Sequence, residues 1–256
     1  GLQLFESVAA EDLGALELPL LATSSHGGQA LHEQVLAWPC AWVFGHEGQG
    51  VAPALLARAS QAVRIIQPGG QESLNVAAAA LGAPGLHLST GVAVAFPRSP
   101  FVSASTAWEL QEASGGQFRL GLGTQVKTHV VRRYGVAFDR PGPRLRDYVL
   151  AVKACFRAFR GAPLEHHGEF YDLSFITPQW SPGSIETPDP KVDIAAVNPW
   201  MLRMAGEVAD GVHVHPIGEP GYLRRHVLPQ VAAGAQKVGR KASEIDLIVP
   251  VMTIVG

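Results

Sequence analysis

Apolar and polar positions change rhythm partway along the chain. Up to about residue 85 the apolar runs are short and unevenly spaced. A strand is expected in the leucine-rich run at 18–25, another at 40–45, and a third at 62–68. The glycine-rich 45–50 closes the second, and Pro68-Gly69-Gly70 punctuates the third. Between them, 52–60 places its apolar residues on one helical face. From Ser73 a second helix is expected with Ser73 as N-cap, and 81–85 breaks it after about two turns.

From residue 86 the pattern becomes a regular alternation. Strands are expected at 87–96, 117–123, 191–197, 211–217 and 245–256. Helices are expected at 103–114, 144–160, 199–209 and 221–239. A long excursion over 161–190 carries several prolines and is read as an insertion near a site. Alternation of this type implies parallel strands covered by helices. The expected fold class is α/β: an incomplete TIM-type (β/α) barrel, five strands against the eight of a closed one, preceded by a partial α/β segment.

Charge supports a boundary at the same place. The whole chain has formal charge −2, but residues 1–85 hold two arginines against seven acids, net −5, and the remainder is +3. The near-neutral total and the acidic first segment argue against a nucleic-acid partner. No apolar run reaches the length of a membrane span, and the first residues lack the basic start of a signal peptide, so a cytoplasmic chain is expected. Its first residue is glycine, so it is expected to be part of a longer chain. Cys40 and Cys155 are too few for a disulfide framework or a cysteine-built zinc site, and no metal is expected.

Several residues have the right chemistry for a site. Gly121 and Gly123 end a strand, where missing side chains let a planar ring or a phosphate approach the backbone. Asn198-Pro199 is a strong helix start whose free N–H groups suit a phosphate. His213 and His215 stand two apart on a strand and share a face, which suits a pocket lining. His129, Arg132 and Arg133 follow the glycine strand and suit an acidic coenzyme tail, or else a solvated helix face.

Four stretches (90–100, 114–125, 187–199 and 205–216) resemble, in order, the luciferase-like oxidoreductases and in particular their deazaflavin-dependent branch. The run Ser-Gly-Gly-x-Phe-x-Leu-Gly-Leu-Gly and the later Ala-Asp-Gly strand start are the most specific. The resemblance covers 86–256. It implies a (β/α)8 barrel of which this chain supplies roughly the third to seventh strands. It also implies a deazaflavin (F-420 type) or FMN cofactor, a small-molecule substrate, and a homodimer as a candidate assembly. Carried onto this sequence, the cofactor-binding residues are Ala95, Gly121, Gly123, Gln125, Val197, Asn198 and His215. Gln125 stands where some deazaflavin enzymes carry an acid. An amide cannot donate a proton as a general acid, so no catalytic residue is assigned.

A second resemblance lies in 44–80. The loop Gly45-His46-Glu47-Gly48-Gln49-Gly50 and the helix start Ser73-Leu74-Asn75 are similar to the SPOUT-class RNA 2′-O-ribose methyltransferases. These motifs imply an alternative cofactor, S-adenosylmethionine, held by Gly45, Glu47, Gly48, Ser73 and Asn75. His46 replaces the usual asparagine, and the family's upstream catalytic arginine has no counterpart. The functional expectation is an oxidoreductase. A methyltransferase fragment, or an inactive fusion of the two, is the alternative.

Overall fold

The computed structural model describes residues 17–23, 28–30, 33–37, 40–43, 51–64, 87–215 and 220–249. The chain divides into two compact units, Gly1–Pro84 with Met252–Gly256, and Gly85–Val251.

The first unit holds four parallel strands: β1 (Leu20–Thr23), β2 (Gln29–Ala30), β3 (Ala41–Val43) and β4 (Gln61–Arg64). Their order is β2-β4-β1-β3. β2 was not expected from the sequence. It sits beside β4 where Gly28 turns at φ +89° and its bare backbone lies against Ala62, a space no β-carbon could share. The helix expected at 52–60 is a single turn, α1 (Pro53–Leu56), started by Pro53. It buries Leu55, which clusters with Ala22 and Val51. The helix expected from Ser73 lies outside the described residues.

The second unit is a curled, wholly parallel sheet of six strands in the order β12-β11-β10-β7-β5, with β6 also on β7. The strands are β5 (Leu88–Ser89), β6 (Ala93–Val94), β7 (Phe118–Gly123), β10 (Lys191–Ala195), β11 (Gly211–His213) and β12 (Asp246–Ile248). Helices α2 (Pro100–Ala113), α3 (Pro141–Phe159), α4 (Pro199–Val208) and α5 (Leu228–Lys237) follow β6, β7, β10 and β11 in turn. Neighbouring strands are successive along the chain, and successive helices pack on one another. That is single winding, in which every crossover puts its helix on the same side. The result is an incomplete TIM-type barrel.

Alternation along each strand separates the two faces of the sheet. Leu120, Leu122, Val192, Ile194, Val212 and Val214 are buried on one face. Arg119, Asp193, His213 and Asp246 meet on the other. Glycine sets how closely α4 and α5 pack. A β-carbon on Gly206 would stand 2.9 Å from Ala235 N, and one on Gly234 would meet the Arg203 carbonyl.

Three local differences from the expected elements have clear causes. The strand expected over 87–96 is two short pieces, both on β7: Thr90 keeps its N–H on Arg119 O at 3.3 Å, but its hydroxyl takes the next β7 acceptor, Gly121 O, at 2.7 Å. The Gly91–Val92 peptide between the pieces is cis. The helix expected over 221–239 begins as a turn at Pro220–Tyr222 and widens to a π-helical turn at Leu223–Val227 before α5. Pro229 has no N–H for the carbonyl four residues back, so the ordinary ladder cannot run through it. The 161–190 excursion, expected as an insertion near a site with no strand assigned to it, contains a small hairpin, β8 (His166–His167) with β9 (Asp172–Leu173).

That excursion is held against α2 and α3 by buried polar anchors. Asp147 of α3 accepts from Phe170 N at 2.6 Å, Tyr171 N at 3.0 Å and His166 Nε2 at 2.8 Å. Trp108 Nε1 donates to Gly183 O and Gln111 Nε2 to Pro188 O, both at 2.9 Å. Arg160 lies over the Trp108 ring and binds Asp189 at 2.9 Å. A loop with its backbone groups satisfied in this way behaves as part of the domain.

Candidate functional site

The C-terminal ends of β7 and β10 run into α3 and α4, and an open cleft of about 390 Å³ lies between them. Thr124, Pro141, Gly142, Pro143, Asn198, Trp200 and Met201 line it. Asn198 has extended backbone and caps α4, accepting from Met201 N at 2.9 Å, while Pro199 occupies the first helical position. Leu202 N is taken by the Asn198 carbonyl. Pro199 has no N–H, so Trp200 N–H is the first-turn donor that Asn198 leaves unengaged. The Trp200 ring covers Gly142, where a β-carbon would stand 2.5 Å from Cζ3. Glycine at this spot lets an aromatic wall close one side of the cleft. Trp200 remains 43% exposed, so its other surface is open to a ligand.

Six of the seven residues expected at a cofactor lie at the C-terminal ends of the strands. Ala95 is buried just past β6, with its N–H on Gly123 O at 3.0 Å. Gly123 is the last residue of β7. Gln125 is exposed at φ +58°, and its Oε1 folds back to accept from Val126 N at 2.9 Å. Val197 and Asn198 are exposed between β10 and α4, and His215 is exposed beyond β11. Gly121 lies one layer deeper.

The room beside both strand glycines is taken by protein. At Gly121 it holds the Thr90 carbonyl and the His213 ring, whose Nε2 would stand 2.7 Å from a β-carbon. At Gly123 it holds the Val92 side chain, 2.7 Å from the same point. Both glycines therefore serve the packing of the inner face. The alternative set Gly45, Glu47, Gly48, Ser73 and Asn75 lies outside the described residues.

Beneath the cleft, the inner face carries a charged cluster. Arg119 grips the fully buried Asp193 with two bonds, Nε to Oδ2 at 2.7 Å and Nη2 to Oδ1 at 2.6 Å. Its third nitrogen reaches Asp246 Oδ2 at 2.8 Å, which Lys191 also binds at 2.8 Å. A buried carboxylate requires this kind of two-pronged partner to offset its lost hydration. His213 Nε2 is 3.8 Å from Asp193 Oδ2 and 3.5 Å from Ser89 Oγ. Burial lowers the His213 pKa below its ordinary value, against the pull of Asp193, so the imidazole is neutral near pH 7. Hydrogen bonds from Lys191 and then Arg119 hold Asp246 below the usual carboxylate range.

His129, Arg132 and Arg133 fall on an exposed π-helical turn, His129–Arg133, just beyond β7. Sequence reasoning missed the cleft walls Thr124, Gly142, Trp200 and Met201. The Pro-Gly-Pro run at 141–143 marks the start of α3, but its proximity to Asn198 depends on the fold. Asp193 had a readable signal as a lone acid in an apolar strand.

A singly wound parallel sheet with helices on one face, and a cleft at the strands' C-terminal ends, defines a protein of the (β/α)-barrel class. The chain belongs to the luciferase-like monooxygenase family, whose model matches residues 46–256. The SpoU rRNA methylase family model matches residues 6–81. Among curated proteins, the chain is 38% identical over 172 residues to the protein Rv1360 of Mycobacterium tuberculosis, covering 67% of this chain and 51% of that one. It is 28% identical over 168 residues to the 5,10-methylenetetrahydromethanopterin reductase of Methanolobus tindarius, covering 66% and 48%. Among solved structures, it resembles the coenzyme F420 dependent tetrahydromethanopterin reductase from Methanopyrus kandleri with a TM-score of 0.55 at 24% identity, covering 67% and 51%. The chain thus spans about half the length of the curated relatives it matches. No helix among the described residues is long and apolar enough to cross a membrane.

Proposed function

We propose that residues 86–256 are the coenzyme-binding part of a deazaflavin- or flavin-dependent oxidoreductase acting on a small organic substrate. The observation that carries this reading is the cleft where β7 and β10 end, with the start of α4 open on one side and the Trp200 ring on the other. Its volume of about 390 Å³ lies within the range of small-molecule sites. Its donor set suits a phosphate-bearing planar coenzyme: the Trp200 N–H and the positive end of α4 meet the anion, and the indole offers a flat apolar surface. When bound, the ring supplies the hydride or the reduced centre for oxygen chemistry. The chain's own residues bind and orient. Trp200 would fix the plane of the coenzyme, and Gln125 would orient a ligand polar group without acting as an acid.

The test is a titration of the full chain with the deazaflavin coenzyme and, separately, with FMN, read by fluorescence and by thermal melting. A ligand at a hundredfold excess over its Kd should add about 2.7 kcal/mol to folding stability. Trp200→Ala and Asn198→Ala should each weaken the response. No shift with either ligand would sink the reading.

The match of residues 6–81 to the methylase family favours a second reading for that segment, an S-adenosylmethionine-binding relic or half-site. The same melt with S-adenosylmethionine tests it. An unmoved transition removes it.

A further inference from the structure

The end of the barrel where the strands begin carries a second cavity, of about 340 Å³. The second half of α3 forms one wall with Lys153, Phe156 and Arg157. The rest comes from Asp189 and Lys191 at the start of β10, Asp210 just before β11, and Glu244 at the end of the 3-10 turn Ala242–Glu244 before β12. Strand beginnings in a (β/α) barrel ordinarily serve stability. Here the hydrogen-bond capacity is lopsided. Each wall carboxylate already has a cation: Lys153 Nζ on Asp210 Oδ1 at 2.8 Å, Arg160 Nε on Asp189 Oδ1 at 2.9 Å, and Arg240 Nε 3.8 Å from Glu244 Oε2. Val192 N takes the other oxygen of Asp210 at 2.8 Å. Lys191 donates to Asp246 at 2.8 Å. Arg157 is exposed and makes no side-chain hydrogen bond or ion pair among the described residues. The two lysines therefore retain further N–H donors, and Arg157 retains its whole fork.

We propose that this cavity binds a small hydroxylated phosphate ester, of about the size of a pentose phosphate. The spare capacity is all in donors, which calls for an anion. A phosphate monoester carries a charge of about −1.5 to −2 and strong acceptor oxygens. Those oxygens match the unpaired Arg157 and the two partly engaged lysines, and an arginine fork pairs with a phosphate through two parallel bonds. Lys153 and Arg157 stand four residues apart on α3 and so share one face of the helix. Phe156 beside them offers an apolar contact for the carbon skeleton. The wall carboxylates are matched by their own cations, so the phosphate meets one surplus positive charge. Asp189 and Glu244, whose side chains are about half-exposed, keep lone pairs that accept from the ligand's hydroxyls. Inorganic phosphate alone would leave most of the cavity unfilled. The site stands at the other end of the strands from the coenzyme cleft and does not depend on the coenzyme reading.

The experiment is a calorimetric titration of the full chain with ribose 5-phosphate, inorganic phosphate and ribose. The ester should bind about tenfold tighter than inorganic phosphate, as two hydroxyl bonds to carboxylates allow, and ribose should give no saturable heat. Arg157→Gln should weaken the ester about tenfold through loss of the charge-assisted fork. Arg157→Lys should recover only part of that loss, since an ammonium lacks the fork. Without ligand, Arg157→Gln should melt with the wild type, because Arg157 has no ion-pair partner to lose. A lowered melt with ester binding unchanged would assign Arg157 to the helix end alone and overturn the proposal. No saturable heat from the ester overturns it as well. Equal affinity for the ester and inorganic phosphate would show an adventitious ion only, and equal heats from ribose and its phosphate would remove the role of the cations. Ester binding that survives Arg157→Gln but is lost in Trp200→Ala would place the ester in the coenzyme cleft, which also overturns this site.

Discussion

Gly206 of α4 faces Gly234 of α5 so closely that a β-carbon on Gly206 would stand 3.1 Å from the Gly234 Cα. Alanine in a helix interior is normally worth up to about 1 kcal/mol over glycine. Here the added methyl would also press on the Val231 carbonyl and on Ala235 N. Overpacking of this type costs about 1–3 kcal/mol and wins. Gly206→Ala and Gly234→Ala should each lower the urea midpoint, and the double variant should lose less than the sum, since both act on one contact. A stabilised Gly234→Ala would show that the helices can part cheaply.

The Arg119–Asp193 pair predicts an asymmetric response. Asp193 is fully buried, so Asp193→Asn leaves Arg119 without its two-pronged partner and should destabilise by about 3–5 kcal/mol. Asp246 has a side chain 47% exposed and should matter far less on substitution by Asn. Denaturant melts of the two variants check the ranking.

His213 makes stability depend on pH with a definite sign. Its pKa is lowered in the fold, chiefly by burial. Between that lowered value and the ordinary value near 6.5, the unfolded chain binds the extra proton. The contribution is therefore fully present above about pH 6.5 and is lost as pH falls through that window. Asp246 acts lower, since its depressed pKa gives stability present above about pH 4 that disappears on further acidification. His213→Gln should flatten the first limb of a melting-versus-pH series and leave the second.

The two thiols should differ in reactivity. Burial pushes Cys155 up to about 12, and it lies wholly inside α3. Cys40 is half-buried and its thiol is raised, also by burial. At pH 8 a thiol reagent should therefore label Cys40 first and Cys155 only on unfolding. Mass spectrometry of the native and urea-treated chain separates these outcomes.

The sequence by itself determined the class of fold and, to within a residue, where β7, β10 and β11 begin. The apolar runs at β7, β10 and β11, and the cap at Asn198, are local signals that a reader of the chain can find, because strand period and cap chemistry need only near neighbours. Tertiary structure decided the rest. Gly121 reads in sequence as an opening for a ring, yet the His213 ring fills that opening from two strands away. Trp200 reads as one more apolar residue at a helix start, yet it forms a cleft wall because Gly142, far away in sequence, leaves it room. The excursion over 161–190 reads as a loop, yet Asp147, Trp108 and Gln111 hold it in place. In each case the deciding partner is distant along the chain, and only the winding of the barrel brings the two within van der Waals or hydrogen-bond distance.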